Sequence, residues 1–410
     1  MEKAEHRLEL LHVLVILIFT IKYLISSVTD IIPYTVFLAL ALLYFVFCFF
    51  LASRSVRWTM FKIAVLILLL SFLYYFFTIT SSVSTSVSYY NLKRFFAKFN
   101  QLVNFFFPLL LLSNFVKLRK TGYQNVIFLV ALIAFSYVVI HSFIIFTSGE
   151  ESARVWASFS ELESENVATY IFVYAASSFV PVVFAFQQKH KKIVFRIIAI
   201  AYIILLYAFL FSAQYTLALF IPTVCIFIAL LKNGAGAKRI VLLLLLLAVL
   251  AATPLLLSWL ADIVSSDTIR SRLLSILKFI RGETGGANNL TGRLELYQKC
   301  FQYFFKSPII GNQTVPFDGH ATFLTVLCDL GLMGTIPTYI LYFGSHRVVR
   351  AALKDQQAYS LWIPCFIGMI LMGFTNPVHS ASVLGYAVYF MGPALLKMRT
   401  DGEKKEHEQI

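Results

Sequence analysis

The sequence predicts an all-α polytopic membrane protein of about twelve transmembrane helices, and three observations carry that prediction. Hydrophobic residues fill 59% of the 410 positions and charged residues only 13%, far from the balance of a soluble globular domain. Apolar runs of about 20 residues recur along the chain, the length a helix needs to cross roughly 30 Å of hydrocarbon and too long for the roughly ten-residue alternating strands of an outer-membrane barrel. Lys and Arg collect in short clusters between alternate runs, as they do where charge orients membrane helices. The formal charge of +14 therefore reads as an orientation signal and argues against nucleic acid as a partner. Five cysteines (Cys48, Cys225, Cys300, Cys328, Cys365) are scattered, with no CxxC pair, so neither a zinc site nor a disulfide framework is indicated.

Taken in order, the expected spans cover about 8 to 28, 34 to 51, 61 to 80, 99 to 116, 124 to 147, 168 to 187, 194 to 212, 216 to 231, 239 to 260, 319 to 344, 359 to 376 and 381 to 396. Together they form a single transmembrane domain over 1–410. The first run is too long for a signal-peptide core and is read as a retained helix. An even number of spans puts both termini on one side. About two-thirds of the 34 basic residues fall in the segments of that side, including Arg54, Arg57, Lys117, Arg119, Arg347, Arg350 and Lys354, which makes it the cytoplasm.

The outer segments differ in kind. YYNLKRFFAKF, with Lys93, Arg94 and Lys98 among aromatics, suits a stretch at the lipid headgroups whose lysines snorkel. The next outer loop carries Glu150, Glu151, Glu161, Glu163 and Glu165 around Arg154; the alternating glutamates read as a solvated acidic loop, with no metal site expected. His379 in the last outer loop reads as an interfacial histidine without chemistry. Residues 262–318 form the one outer loop large enough to be a lid or platform. Its first half reads as a basic amphipathic helix, with Ile269, Leu273, Ile276, Leu277 and Ile280 on one side and Arg270, Arg272, Lys278 and Arg281 largely on the other.

Its second half is more informative. Glu295, Lys299, Gln302 and Lys306 follow at spacings of four, three and four and share a polar helix face. At roughly 100° per residue Arg293 lies nearly opposite, in line with Tyr297, Cys300 and Phe304, on the face that should pack against the protein. A guanidinium turned inward needs an anion. Either a loop carboxylate such as Glu283 supplies it, or a phosphorylated substrate does, which suits the bidentate geometry of arginine. His320 then opens a long apolar helix after the loop VPFDGH, and an ordinary histidine can exchange a proton near neutral pH. Asp329, about 13 Å deeper, should pair inside the bundle. Gly331 and Gly334 should allow close helix contact.

Arg293 heading an aliphatic and aromatic helix, then SPIIGN, then His-Ala-x9-Gly-x-x-Gly from His320, resembles the O-antigen ligase and polysaccharide polymerase superfamily. The resemblance implies a GT-C-like helical fold with one large outer loop between late helices, in the bacterial inner membrane with its active site on the periplasmic side. It implies a metal-independent, inverting glycosyltransferase without cofactor. The donor is a glycan on undecaprenyl pyrophosphate, and the acceptor is a sugar of a second lipid-linked repeat unit or of lipid A core; membrane lipids and a chain-length regulator are the further partners. Position by position, it gives Arg293 the pyrophosphate and makes His320 essential, as general base or as stabiliser of the leaving phosphate. It points to Arg154, which Asn166 and Ala168 follow in the sequence, as a further substrate contact, with Tyr297 on the Arg293 face.

Two positions depart from the family pattern. Ala321 follows the histidine where Asn, Ser or Gln is usual, and Gln214 stands where a middle helix usually ends in an arginine. Gln214 donates hydrogen bonds but no charge, which shifts phosphate neutralisation to Arg154 and Arg293, with Arg270, Arg272 and Arg281 as further candidates. That departure and the GH-containing loop favour a polymerase over a ligase. A flippase for lipid-linked sugars should show paired charges near the midplane or an internal repeat, and the sequence displays neither; Lys22 and His141 are the other notable polar residues within spans.

Overall fold

The computed structural model describes residues 2–77, 87–148, 166–189, 192–213, 215–233, 236–263, 270–271, 274, 277–278, 289–312, 321–378 and 381–398; for some of these, 291–294 among them, it gives the backbone alone. Among the described residues there are helices and no strand. In chain order they are α1 (Glu2–Leu24), the single turn α2 (Val28–Ile31), α3 (Tyr34–Leu51), α4 (Arg54–Phe77), α5 (Val87–Phe115) and α6 (Thr121–Ser148). Then come α7 (Tyr170–Lys189), α8 (Ile193–Ser212), α9 (Thr216–Asn233) and α10 (Ala237–Ile263). The last group is α11 (Asn289–Lys306), α12 (Thr322–Leu353), α13 (Gln356–Gly373) and α14 (Ser382–Tyr386), which continues through a π-helical turn, Ala387–Met391, to residue 398.

Every expected span falls on one of these helices. Among the described residues seven of them, α3 to α8 and α12, are long and apolar enough to cross a membrane. The other five expected spans fall on α1, α9, α10, α13 and α14, and for those the crossing rests on the sequence. Helix boundaries follow local chemistry: Pro33 lies just before α3, and the Asp355 carboxylate caps α13 by accepting from the backbone N–H of Gln357 at 2.9 Å and of Ala358 at 3.3 Å.

The helix nearest the C-terminus lies at the centre. Leu384 to Met391 are buried on every side, a condition an all-apolar helix meets only inside a bundle. Its π-helical turn leaves the Val388 carbonyl to accept from the Trp362 indole at 2.7 Å, so the locally disturbed ladder loses no partner there. Tyr386 stacks on Tyr23 at 5.0 Å between centroids and shares a 2.7 Å hydrogen bond with Thr20, and Tyr389 accepts from Ser345 at 2.8 Å. Such bonds join helices where water cannot compete. Helix α7 is the second central element, with 72% of its span buried against 22% for α3 and α8, which leave Leu40, Leu43, Ile197 and Ile204 exposed on the outside of the bundle.

Helix ends meet as the alternation of basic clusters requires. At one end Glu5 pairs with Arg119 at 2.6 Å, and Glu9 accepts from the backbone of Arg119 and Lys120. At the other, the Tyr23 hydroxyl donates to the Asn104 carbonyl at 2.8 Å, and Asn166 accepts from the Ser27 backbone at 3.0 Å. Glu5 and Arg119 are both exposed, so Glu5→Gln is expected to change stability by less than about 1 kcal/mol, measured as the unfolding midpoint in detergent.

The aromatic and basic stretch expected at the headgroup level forms the start of α5, which runs unbroken from Val87 because nothing there ends a helix. Lys98 is half-buried, its ammonium 4.3 Å from the centre of the Tyr74 ring and within electrostatic reach of Asp329. Asp329 thus interacts inside the bundle, as its depth demanded. One expectation is corrected: Gly331 breaks α12 (φ 55°, ψ −150°) and does not pack two helices together. The SPIIGN turn fills the break. Asn312 donates its backbone N–H to Cys328 at 2.7 Å, while Leu332 and Met333 donate to Pro308 and Ile309 at 2.9 and 3.0 Å. Ile309, Leu332, Met333 and Ile336 are exposed near this turn.

Candidate functional site

Two structures take shape at the end of the bundle that holds the start of α7 and the start of α12. The first is a cavity of about 290 Å³ walled by α1, α5, α6, the approach to α7 and the start of α14. Its walls are polar for a protein this apolar, with Lys22, Ser26, Thr29, Asn100, Gln101, Asn104, Asn166, Thr169 and Ser382 among the lining residues. Lys22 is only 5% exposed. Its ammonium donates to Asn104 Oδ1 at 2.6 Å and rests 4.3 Å from the centre of the Tyr23 ring.

The geometry follows from local sequence. Ile16, Phe19 and Tyr23 bury one face of α1, and Lys22, next to Tyr23, is carried inward with it. On α5, Asn100 and Asn104 stand one turn apart, and the Asn104 amide donates to Asn100 Oδ1 at 2.7 Å, which aims Asn104 Oδ1 at the lysine. Asn166 adopts a left-handed conformation (φ 58°), tolerable for asparagine, and ties the approach to α7 onto Ser27. The Ala168 backbone donates to Ser142 at 2.7 Å, which closes the α6 side.

Among the described residues no carboxylate lies within ion-pair distance of Lys22. A lysine amine buried among neutral amides and an aromatic face is costly to charge alone, and an anion beside it would offset that cost.

The second structure is the packing of α11 on α12. The Cys300 thiol donates to the Leu324 carbonyl at 3.2 Å, and Leu296, Tyr297 and Tyr303 pack with Cys300, Ala321, Leu324 and Cys328. Glu295, Lys299, Gln302 and Lys306 are all exposed, so α11 presents its expected polar face outward and its Tyr297–Cys300 face to α12. Arg293 shares the register of that inner face, one turn before Tyr297.

Asn376 joins the start of α12 to α7. Thr322 donates to the Asn376 carbonyl from its backbone at 3.1 Å and from its hydroxyl at 3.2 Å. The Tyr174 hydroxyl donates to Asn376 Oδ1 at 2.9 Å. A few residues on, Ser382 and Val383 line the Lys22 cavity.

Of the residues singled out from sequence, Tyr297 is half-buried against α12, and Arg270 is exposed. His320, Arg154, Gln214, Arg272 and Arg281 lie outside the described residues, as does the side chain of Arg293; so do His379 and the glutamates from Glu150 to Glu165. Asn166 and Ala168 both line the cavity, together with Lys22. Sequence reasoning missed Asn100, Gln101 and Asn104. The signal was available: three amides within five residues of an aromatic-rich span, where each unsatisfied amide is costly. No protein-family model matches the chain, and no curated protein matches it in sequence.

Proposed function

We propose that this chain is a polysaccharide polymerase of the bacterial inner membrane. It transfers a glycan from its polyprenyl pyrophosphate to a sugar hydroxyl of another lipid-linked repeat unit, on the periplasmic side. The observation that carries the reading is the buried Lys22 side chain in a polar cavity lined by Asn166 and Ala168, which follow Arg154 in the sequence. Thr322, two residues after His320, is bonded to Asn376, which also accepts from Tyr174 of α7. All twelve spans then cross the membrane with both termini in the cytoplasm.

In this reaction the anomeric C–O bond to the pyrophosphate breaks and a new anomeric C–O bond forms to the acceptor oxygen. His320 takes the proton of the attacking hydroxyl, a role worth roughly 10² to 10⁴ in rate. Lys22, Arg293 and Arg154 meet the charge that gathers on the leaving pyrophosphate in a site partly closed to water, where such contacts are strongest. A single displacement inverts the anomeric centre.

The test is an assay of purified protein with polyprenyl-pyrophosphate-linked repeat units, resolved on a gel, with and without lipid A core and in excess chelator. A ladder without core, lost in His320→Ala and in Arg293→Ala, is the expected result. A single transfer seen only with core makes the protein a ligase. A second reading, a flippase for lipid-linked sugars, is favoured by Lys98 and Asp329 beside the broken helix α12, since transporters place charges at interrupted helices. No transfer in either condition, with labelled lipid crossing reconstituted vesicles, supports the flippase.

A further inference from the structure

Along α5 the molecule holds a larger, apolar cleft whose cationic mouth lies at the opposite end of the bundle from Lys22. Helix α4 packs on α5 and α12, while α3 leans mainly on α5, and the gap between them is a groove of about 550 Å³. Phe45 and Ala64 line its walls, and its floor along α5 runs from Phe99 to Lys117, about 27 Å at 1.5 Å per residue. That length approaches the roughly 30 Å hydrocarbon thickness, enough to cover an extended acyl chain. Where the groove reaches the end that carries the basic clusters, Lys117, Arg347 and Lys354 line it together. No Asp or Glu lines it, and among the described residues none of the three cations pairs with a carboxylate.

We propose that this groove is a binding site for an anionic phospholipid of the leaflet facing these cations, with one acyl chain along α5 and the phosphate among Lys117, Arg347 and Lys354. Two features together carry the assignment. Apolar walls alone fit any lipid, and basic residues alone mark only orientation, but three unpaired cations at the mouth of a chain-length groove select negative charge joined to hydrocarbon. The proposal does not rest on the transfer reaction, and the cationic mouth lies at the other end of the bundle from the Lys22 cavity.

The experiment is native mass spectrometry of the delipidated full-length protein, titrated separately with dioleoyl phosphatidylglycerol and dioleoyl phosphatidylcholine, which share chains and differ in headgroup charge. Phosphatidylglycerol is expected to bind at roughly tenfold lower concentration. The combined variant Lys117→Gln, Arg347→Gln, Lys354→Gln should bring it to the level of phosphatidylcholine. Ala64→Trp, which fills the groove and leaves the cations in place, should abolish the preferred binding. Glycerol phosphate, the headgroup without chains, should show no saturable binding. Equal binding of the two lipids, a preference that survives the charge variant or Ala64→Trp, or glycerol phosphate binding as well as the lipid would each overturn the assignment. Because the charge substitutions lie at the groove mouth, Arg347→Gln alone carries the test if the combined variant does not fold.

Discussion

Gly331→Ala lowers the unfolding midpoint sharply, by an amount corresponding to about 3 kcal/mol or more, whereas Gly344→Ala on the same helix raises it slightly. At φ 55° and ψ −150°, Gly331 holds a backbone conformation open almost only to glycine, and a side chain there costs about 1–3 kcal/mol in strain. A Cβ would also fall 2.6 Å from the Gly311 nitrogen and from the Ile309 carbonyl oxygen, backbone atoms with little room to move. Overpacking of that kind adds about 1–3 kcal/mol. Gly311→Ala should behave alike, since its φ is 75° and its Cβ would land on the backbone of Asp329. Gly344 has open space where a Cβ would go, so alanine there brings only the helix-propensity gain of about 0.5–1 kcal/mol. Opposite signs for one substitution at two sites of α12, read as unfolding midpoints in detergent, establish the break. Equal shifts at Gly331 and Gly344 would mean that α12 is continuous.

Lys22→Gln slows transfer by about 10² to 10³ and leaves the protein at least as stable as before. Glutamine keeps a donor for Asn104 and removes the charge. If the ammonium meets the leaving pyrophosphate, the loss compares with that of a single donor to a developing anion, about 10² to 10³ in rate. Burying an ammonium without a counter-ion costs stability, so its removal should not harm the fold. A structural lysine gives the reverse pattern: a lower unfolding midpoint and unchanged transfer. Measuring both quantities on one variant separates the two roles.

These two residues also show what the sequence could and could not disclose. Helix positions were legible because apolar length alone sets them, and the exposed Glu295, Lys299, Gln302 and Lys306 on α11 follow from 3.6-residue periodicity. The meeting of Glu5 with Arg119 fits the orientation read from basic clusters. The break at Gly331 was not legible, because CDLGLMG reads equally well as a helix with small packing residues; only the SPIIGN turn, inserted from some 20 residues upstream, supplies the hydrogen bonds that make a break tolerable. The contacts of Lys98 were not legible, because Tyr74 and Asp329 come from other helices. The cavity was hidden for the same reason. Its walls come from segments near Lys22, Asn104, Asn166 and Ser382, and no local pattern links them. Lys22 was conspicuous as a charge within a span, yet only packing shows that amides and a tyrosine ring surround it.

The central claim, that the Lys22 cavity receives the pyrophosphate of a lipid-linked donor, is tested most directly by binding. Purified protein and its Lys22→Gln variant are titrated with undecaprenyl pyrophosphate and with undecaprenol, which share a chain and differ in the anionic head. Wild type should hold the pyrophosphate form at least roughly tenfold more tightly than the alcohol, and Lys22→Gln should lose most of that difference. Equal affinity for the two lipids, or a preference unchanged in Lys22→Gln, would contradict the account.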